Sequence, residues 1–114
     1  MTGSGVYENS PLVIKLRART DAATVIAVAG ELDMTNCAEL RRELADLIAR
    51  NTAEHVALDL SEVTFLSSAG IGVLLHARSL VQRQGGRLAI VRAHENVCQV
   101  LAVCGLTALF HPSP

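Results

Sequence analysis

The chain has 114 residues, half of them hydrophobic and 18% charged, which is enough for one domain with a buried core and leaves no room for a second. A formal net charge of −1 and only three aromatic side chains, Tyr7, Phe65 and Phe110, offer neither the positive field nor the stacking platform that nucleic acid needs as a main ligand. The three cysteines, Cys37, Cys98 and Cys104, form no Cys-x-x-Cys pair, so neither a disulfide framework nor a metal site is expected, and a reducing cytoplasm fits.

Met1 to Pro11 lacks the basic start and apolar run of a signal peptide, and no apolar stretch reaches the ~18 residues of a membrane span, so no direct membrane insertion is expected. Residues 1–11 and 111–114 are rich in Gly, Ser, Pro and polar side chains and read as tails around one unit over 12–110. Residues 12–19 alternate, with Leu12, Ile14, Leu16 and Ala18 opposite Lys15, Arg17 and Arg19, the pattern of a half-exposed edge strand. After a turn at Thr20-Asp21-Ala22, residues 23–30 form an apolar run that a central strand can bury on both faces.

From Cys37 to about Arg50, Cys37, Leu40, Leu44, Leu47 and Ile48 recur at helical spacing, with Asn36 and Glu39 as a possible capping box or Thr35 as the cap. His55 to Leu60 predicts a third strand, and Ser61 to Leu66 leads into a second helix near Ser68. That helix carries Ile71, Leu74, Leu75, Arg78 and Val81 on one stripe and stops at Gly85-Gly86. Arg87 to Arg92 predicts a fourth strand, and Glu95 to Cys104 a third helix, with Val97, Val100, Leu101 and Cys104 on one face and Gly105 as its left-handed end. Leu106 to Phe110 reads as a last short strand. The order implies a small α/β sandwich whose mixed, mostly parallel sheet of four or five strands has helices packed on it.

The chemistry concentrates in Phe65-Leu-Ser-Ser-Ala-Gly-Ile-Gly72, where two hydroxyls and two glycines mark the passage from a buried strand into an apolar helix. Ser68 is the natural N-cap and Ser67 the alternative, and a purely structural capping role accounts for both. The same place offers unpaired N–H groups and the positive end of a helix dipole, where a phosphate on Ser68 would be tolerated. Gly70 and Gly72 would keep the helix start low and open to close approach.

No Gly-x-Ser-x-Gly elbow surrounds either serine, and none of His55, His76, His94 and His111 sits in a motif marking it as a base, so no enzyme is expected. Gly70-Ile-Gly72 lacks the third glycine of a dinucleotide fingerprint and there is no Gly-Lys-Ser/Thr phosphate loop, so no cofactor or other small-molecule ligand is expected. His76 reads as a surface side chain, Asp59 as a turn former at a strand end, and the three cysteines as core or near-core thiols.

The sequence resembles the STAS domains of bacterial anti-sigma factor antagonists. The resemblance rests on Gly30-Glu-Leu-Asp33, Leu58-Asp-Leu-Ser61, Val63 to Leu74 and Leu101 to Phe110, and it covers about residues 12–110. It implies a STAS-like fold and a partner switch. An anti-sigma factor carrying a histidine-kinase-like ATP domain would phosphorylate Ser68 and lose its grip on the chain, and a serine phosphatase would reset the switch. The implied partner-binding residues are Asp33, Ser67, Ser68, Ala69, Gly70, Ile71 and Gly72. Where the family often has Asp-Ser-Ser-Gly, this chain has Ser67-Ser68-Ala69-Gly70, so the acidic neighbour of the phosphosite is replaced by Ser67. STAS domains also serve as docking scaffolds of lipid-transporting ABC systems and stressosomes, the alternative that the resemblance leaves open.

Overall fold

The computed structural model describes residues 12–20, 22–51 and 54–110. The expected tails, the tip of the first turn at Asp21, Tyr7 and His111 lie outside the described residues. Four strands, β1 (Val13–Arg19), β2 (Ala23–Leu32), β3 (His55–Leu66) and β4 (Arg87–Ala93), alternate with helices α1 (Cys37–Arg50), α2 (Ser68–Arg83), α3 (Glu95–Val103) and the short α4 (Thr107–Phe110). The four strands lie in sheet order β1-β2-β3-β4, with β1 antiparallel to β2 and the β2–β3 and β3–β4 pairs parallel. The mixed, mostly parallel sheet is thus the expected one, with β1 as an edge and β2 inside.

The helices form where the apolar spacing places them. Leu40, Leu44 and Ile48 of α1 and Val73, Leu74, Ala77 and Val81 of α2 are buried with Ile26, Val28, Val56, Leu58, Leu88 and Ile90 of the sheet, and α1 and α2 lie against each other. Right-handed crossovers between successive parallel strands place both helices on one face of the sheet. Val97 and Leu101 of α3 and Phe110 of α4 join the same core.

Five expectations need correction. Residues 106–110 contain no strand: α4 turns Phe110 into the core, because five mostly apolar residues fit one helical turn as well as a strand. β3 does not end at Leu60 but continues to Leu66, pairing Gly30 with Val63 and Leu32 with Leu66 after register shifts that break the simple alternation. The buried stripe of α2 runs through Gly70, Val73, Leu74, Ala77 and Val81, one position away from the expected one, and leaves Leu75 exposed.

The capping box of α1 is absent. Asn36 accepts instead from the Asp33 amide at 3.1 Å and donates to the Glu31 carbonyl at 2.7 Å, tying down the loop before the helix. Cys104 is exposed and only Cys37 is buried, since Cys104 is the C-cap of α3 and lies past its buried face.

Candidate functional site

The carboxyl ends of β2 and β3 and the start of α2 meet at one end of the sheet. The Ser67 amide donates to the Leu32 carbonyl at 2.9 Å, which fixes the beginning of α2 beside the end of β2. In parallel α/β sheets this is the end at which ligands and partners gather, because the loops leave the strands there and the following helices point their N-termini at it.

Ser67, not Ser68, is the N-cap: its extended backbone stands outside the helix and its hydroxyl accepts from the Gly70 amide at 3.2 Å. This reverses the assignment expected from sequence, for a geometric reason. A cap must be the last non-helical residue, and β3 pairs through Leu66, so Ser67 is the only residue between strand and helix. Ser68 becomes the first helical residue and is exposed. Its hydroxyl has no hydrogen-bond partner among the described residues.

The two glycines have opposite roles. Gly70 is buried, and a Cβ there would stand 2.6 Å from Leu66 Cδ1 and 3.1 Å from Leu32 Cβ. Its lack of a side chain lets α2 sit close on the strand ends, so Gly70 faces the core, where the sequence suggested an open position. Gly72 is exposed with open space where a Cβ would go. Ala69 and Ile71 are half-buried against the core.

Ser68, Gly72 and Leu75 are exposed at i, i+4 and i+7, one solvent-facing row of α2. Met34 (84% exposed), in the loop after β2, and Phe65 (49%), two residues before Ser67, add large apolar side chains at this end of the molecule. None of Met34, Phe65 and Leu75 was among the partner-binding residues expected from sequence. The signal was available for Phe65, because an aromatic on the solvent side of a strand next to a functional serine has no packing purpose.

Asp33 is half-buried in the loop after β2. The Thr35 hydroxyl (2.5 Å) and amide (2.9 Å) both donate to its Oδ1, and chiefly the hydroxyl bond holds its carboxyl below the usual value. Asp33 is therefore an anion at neutral pH and organises its own loop. The Cys37 thiol is pushed up by burial and further by the Asp33 charge, while hydrogen bonding with the Ser67 side chain takes back part of the rise. Asp33 and Ser67 thus act in opposite directions on the Cys37 thiol at the start of α1.

The remaining candidates lie elsewhere. His76 is half-buried on α2, its Nδ1 3.4 Å from Arg41 of α1, a contact between the two helices. Asp59 is not at a strand end but buried within β3, where Arg17 Nη1 (2.6 Å) and the Ser61 hydroxyl (2.7 Å) and amide (3.0 Å) donate to it. Burial pushes its carboxyl up, and these bonds outweigh that and leave it below the usual value. No cluster of His, Cys, Asp and Glu among the described residues could hold a metal ion, and no described helix is long and apolar enough to cross a membrane.

This small α/β domain, with an exposed serine at the carboxyl end of its parallel strands, is matched by a known family. The chain belongs to the STAS domain family, whose family model matches residues 14–114. It is 30% identical over 82 residues to the anti-sigma F factor antagonist of Paenibacillus polymyxa, a match covering 72% of this chain and 70% of that protein. Its fold is similar to that of an anti-sigma factor antagonist from Mycobacterium paratuberculosis, with a TM-score of 0.78 at 23% identity over 91% of this chain and 86% of the other. It is also similar to the Bacillus cell fate determinant SpoIIAA in its phosphorylated form, with a TM-score of 0.66 at 20% identity over 90% and 92% of the two chains.

Proposed function

We propose that this protein is an anti-sigma factor antagonist of the cytoplasm, a single STAS domain over residues 12–110 that docks on an anti-sigma factor and is released by phosphorylation of Ser68. The observation that carries this reading is the exposed hydroxyl of Ser68 at the first position of α2, without a hydrogen-bond partner among the described residues because Ser67 does the capping. The relative in Paenibacillus polymyxa and the solved phosphorylated form of SpoIIAA support it.

The docking surface comprises Ser68 and Gly72, the flanks of Ala69 and Ile71, the loop held by Asp33 and Ser67, and the exposed Met34, Phe65 and Leu75. Gly70 supports it from behind. Phosphorylation adds about −1.5 to −2 charge at pH 7. The free chain tolerates that charge, because the first turn of α2 contains no acidic residue and the helix dipole favours an anion there. A docked partner without a matching cation would instead bury an unpaired dianion, which costs several kcal/mol and drives release.

The kinase is the anti-sigma factor itself, through a histidine-kinase-like ATP domain, and a serine phosphatase returns the chain to its binding form. The test is calorimetric titration with each kinase-like anti-sigma factor of the source genome. Ser68→Ala is expected to bind like the unmodified protein and Ser68→Asp about 100-fold more weakly, both remaining folded. Mass spectrometry after incubation with ATP and the binding partner should find one phosphate, on Ser68. Equal affinity of the two variants would overturn the switch.

A further inference from the structure

We propose a second docking edge on this protein, at the free side of β4, which takes a short extended acidic segment of another protein as an added strand. Among the described residues β4 ends the sheet, with β3 on one side and no strand on the other. The Arg87 amide donates inward to the Glu54 carbonyl at 2.8 Å, and since strand residues alternate in direction, the N–H and C=O groups of Leu88 and Ile90 point outward. Among the described residues, no loop or helix group bonds to them.

A groove of about 560 Å³ adjoins β4, lined by Arg78 of α2, Leu109 of α4 and Arg87, Ala89 and Val91 of β4, and it reaches across to Val56 and Ala57 of β3. Unpaired backbone groups next to an apolar groove are what strand addition uses: main-chain hydrogen bonds hold the incoming segment and alternate side chains enter the groove.

Charge identifies the occupant. Arg78 and Arg87 line the groove and none of its lining residues is acidic, although the chain as a whole carries a net charge of −1; the Glu54 carboxylate beside it is 3.9 Å from His55 Nε2 and leaves the two arginines unmatched. Arg92, also exposed, stands near the other end of the strand. A second copy of this chain is a poor occupant, because antiparallel pairing of two β4 strands would bring Arg87 of each copy beside Arg92 of the other, and like charges across a ladder repel. A segment alternating carboxylates with β-branched residues satisfies both the backbone and the arginines. The regular edge is short, since the register of β4 against β3 shifts between Ile90 and Arg92, so the contact is brief and of modest strength. It lies at the amino ends of the parallel strands, away from Ser68, and stands independently of the phosphorylation switch.

The test is an NMR titration of the whole protein with the blocked heptapeptide Glu-Val-Glu-Val-Glu-Val-Glu. Saturable shifts centred on the Leu88 and Ile90 amides are expected. The double variant Arg78→Gln/Arg87→Gln should weaken binding about tenfold, whereas Ser68→Asp should leave it unchanged. A peptide N-methylated at alternate residues keeps the charge but loses the strand hydrogen bonds, and it should not bind. Absence of saturable shifts, shifts centred elsewhere, or equal binding of the N-methylated peptide would overturn the proposal.

Discussion

Helices α2 and α3 begin at the same end of the sheet, directly after parallel strands, and each is capped by a side chain. Ser67 accepts from the Gly70 amide at 3.2 Å, and His94 Nδ1 accepts from the Asn96 amide at 3.0 Å. Beyond the caps they differ: α3 carries Glu95 in its first turn, and α1 likewise carries Glu39, but α2 carries no acid there. An acidic side chain in the first turn answers the positive end of the helix dipole from within the chain. The start of α2 is left unanswered, beside the exposed Ser68 hydroxyl, and so can accept negative charge that the starts of α1 and α3 already have.

Substitutions at the two helix starts can break or sharpen this contrast. The largest effect is expected at Gly70, because its close contact with Leu66 and Leu32 positions Ser68. Gly70→Ala should destabilise the fold by about 1 to 3 kcal/mol, while Gly72→Ala, with open space around it, should stabilise by about 0.5 to 1 kcal/mol. Denaturant melts of the two variants decide the matter, and equal stabilities would mean that α2 is not seated on Gly70.

Next comes the cap. Ser67→Ala should cost about 1 kcal/mol in the same melts, and Ser67→Asp should retain most of that, since a carboxylate also accepts from the helix amides. If Ser68→Ala instead shows the larger loss, the two serines have exchanged roles. The smallest effect is expected on the answered helix: Glu95→Gln should cost about 0.5 kcal/mol at low salt and less as salt is added. A loss that salt does not diminish would assign Glu95 a role other than answering the dipole.

Much of this was legible in the sequence because it follows from spacing. The apolar stripe from Cys37 to Ile48 gives α1, the run after Asp21 gives an inner strand, and the Ser-Ser before an apolar helix gives the site. The failures share a cause, which is that local pattern does not show where a tertiary pairing ends. Ser61-Glu62-Val63-Thr64 has the composition of a turn, yet β2 extends alongside it to Leu32 and keeps it in the sheet. That extension then decides which serine caps α2. Gly70 and Gly72 are indistinguishable as letters, and only the closeness of Leu32 and Leu66 separates the packing glycine from the accessible one.

The ion pair of Arg17 with Asp59 has a consequence for how the sheet is assembled. Arg17 belongs to β1 and Asp59 to β3, and between them β2 presents Ala27, the pairing partner of Asp59. The guanidinium therefore passes over a methyl group to reach a buried carboxylate. Arg17 sits where the β1–β2 alignment skips a residue, so sliding β1 by one position would carry the cation off and strand a dry negative charge in the middle of the sheet. An edge strand with few buried side chains is easily misaligned, and here a single charge acts as a key that turns in one alignment only. Because the carboxyl stays ionised below the usual carboxylate value, the key holds at neutral pH and slips only when acid protonates Asp59.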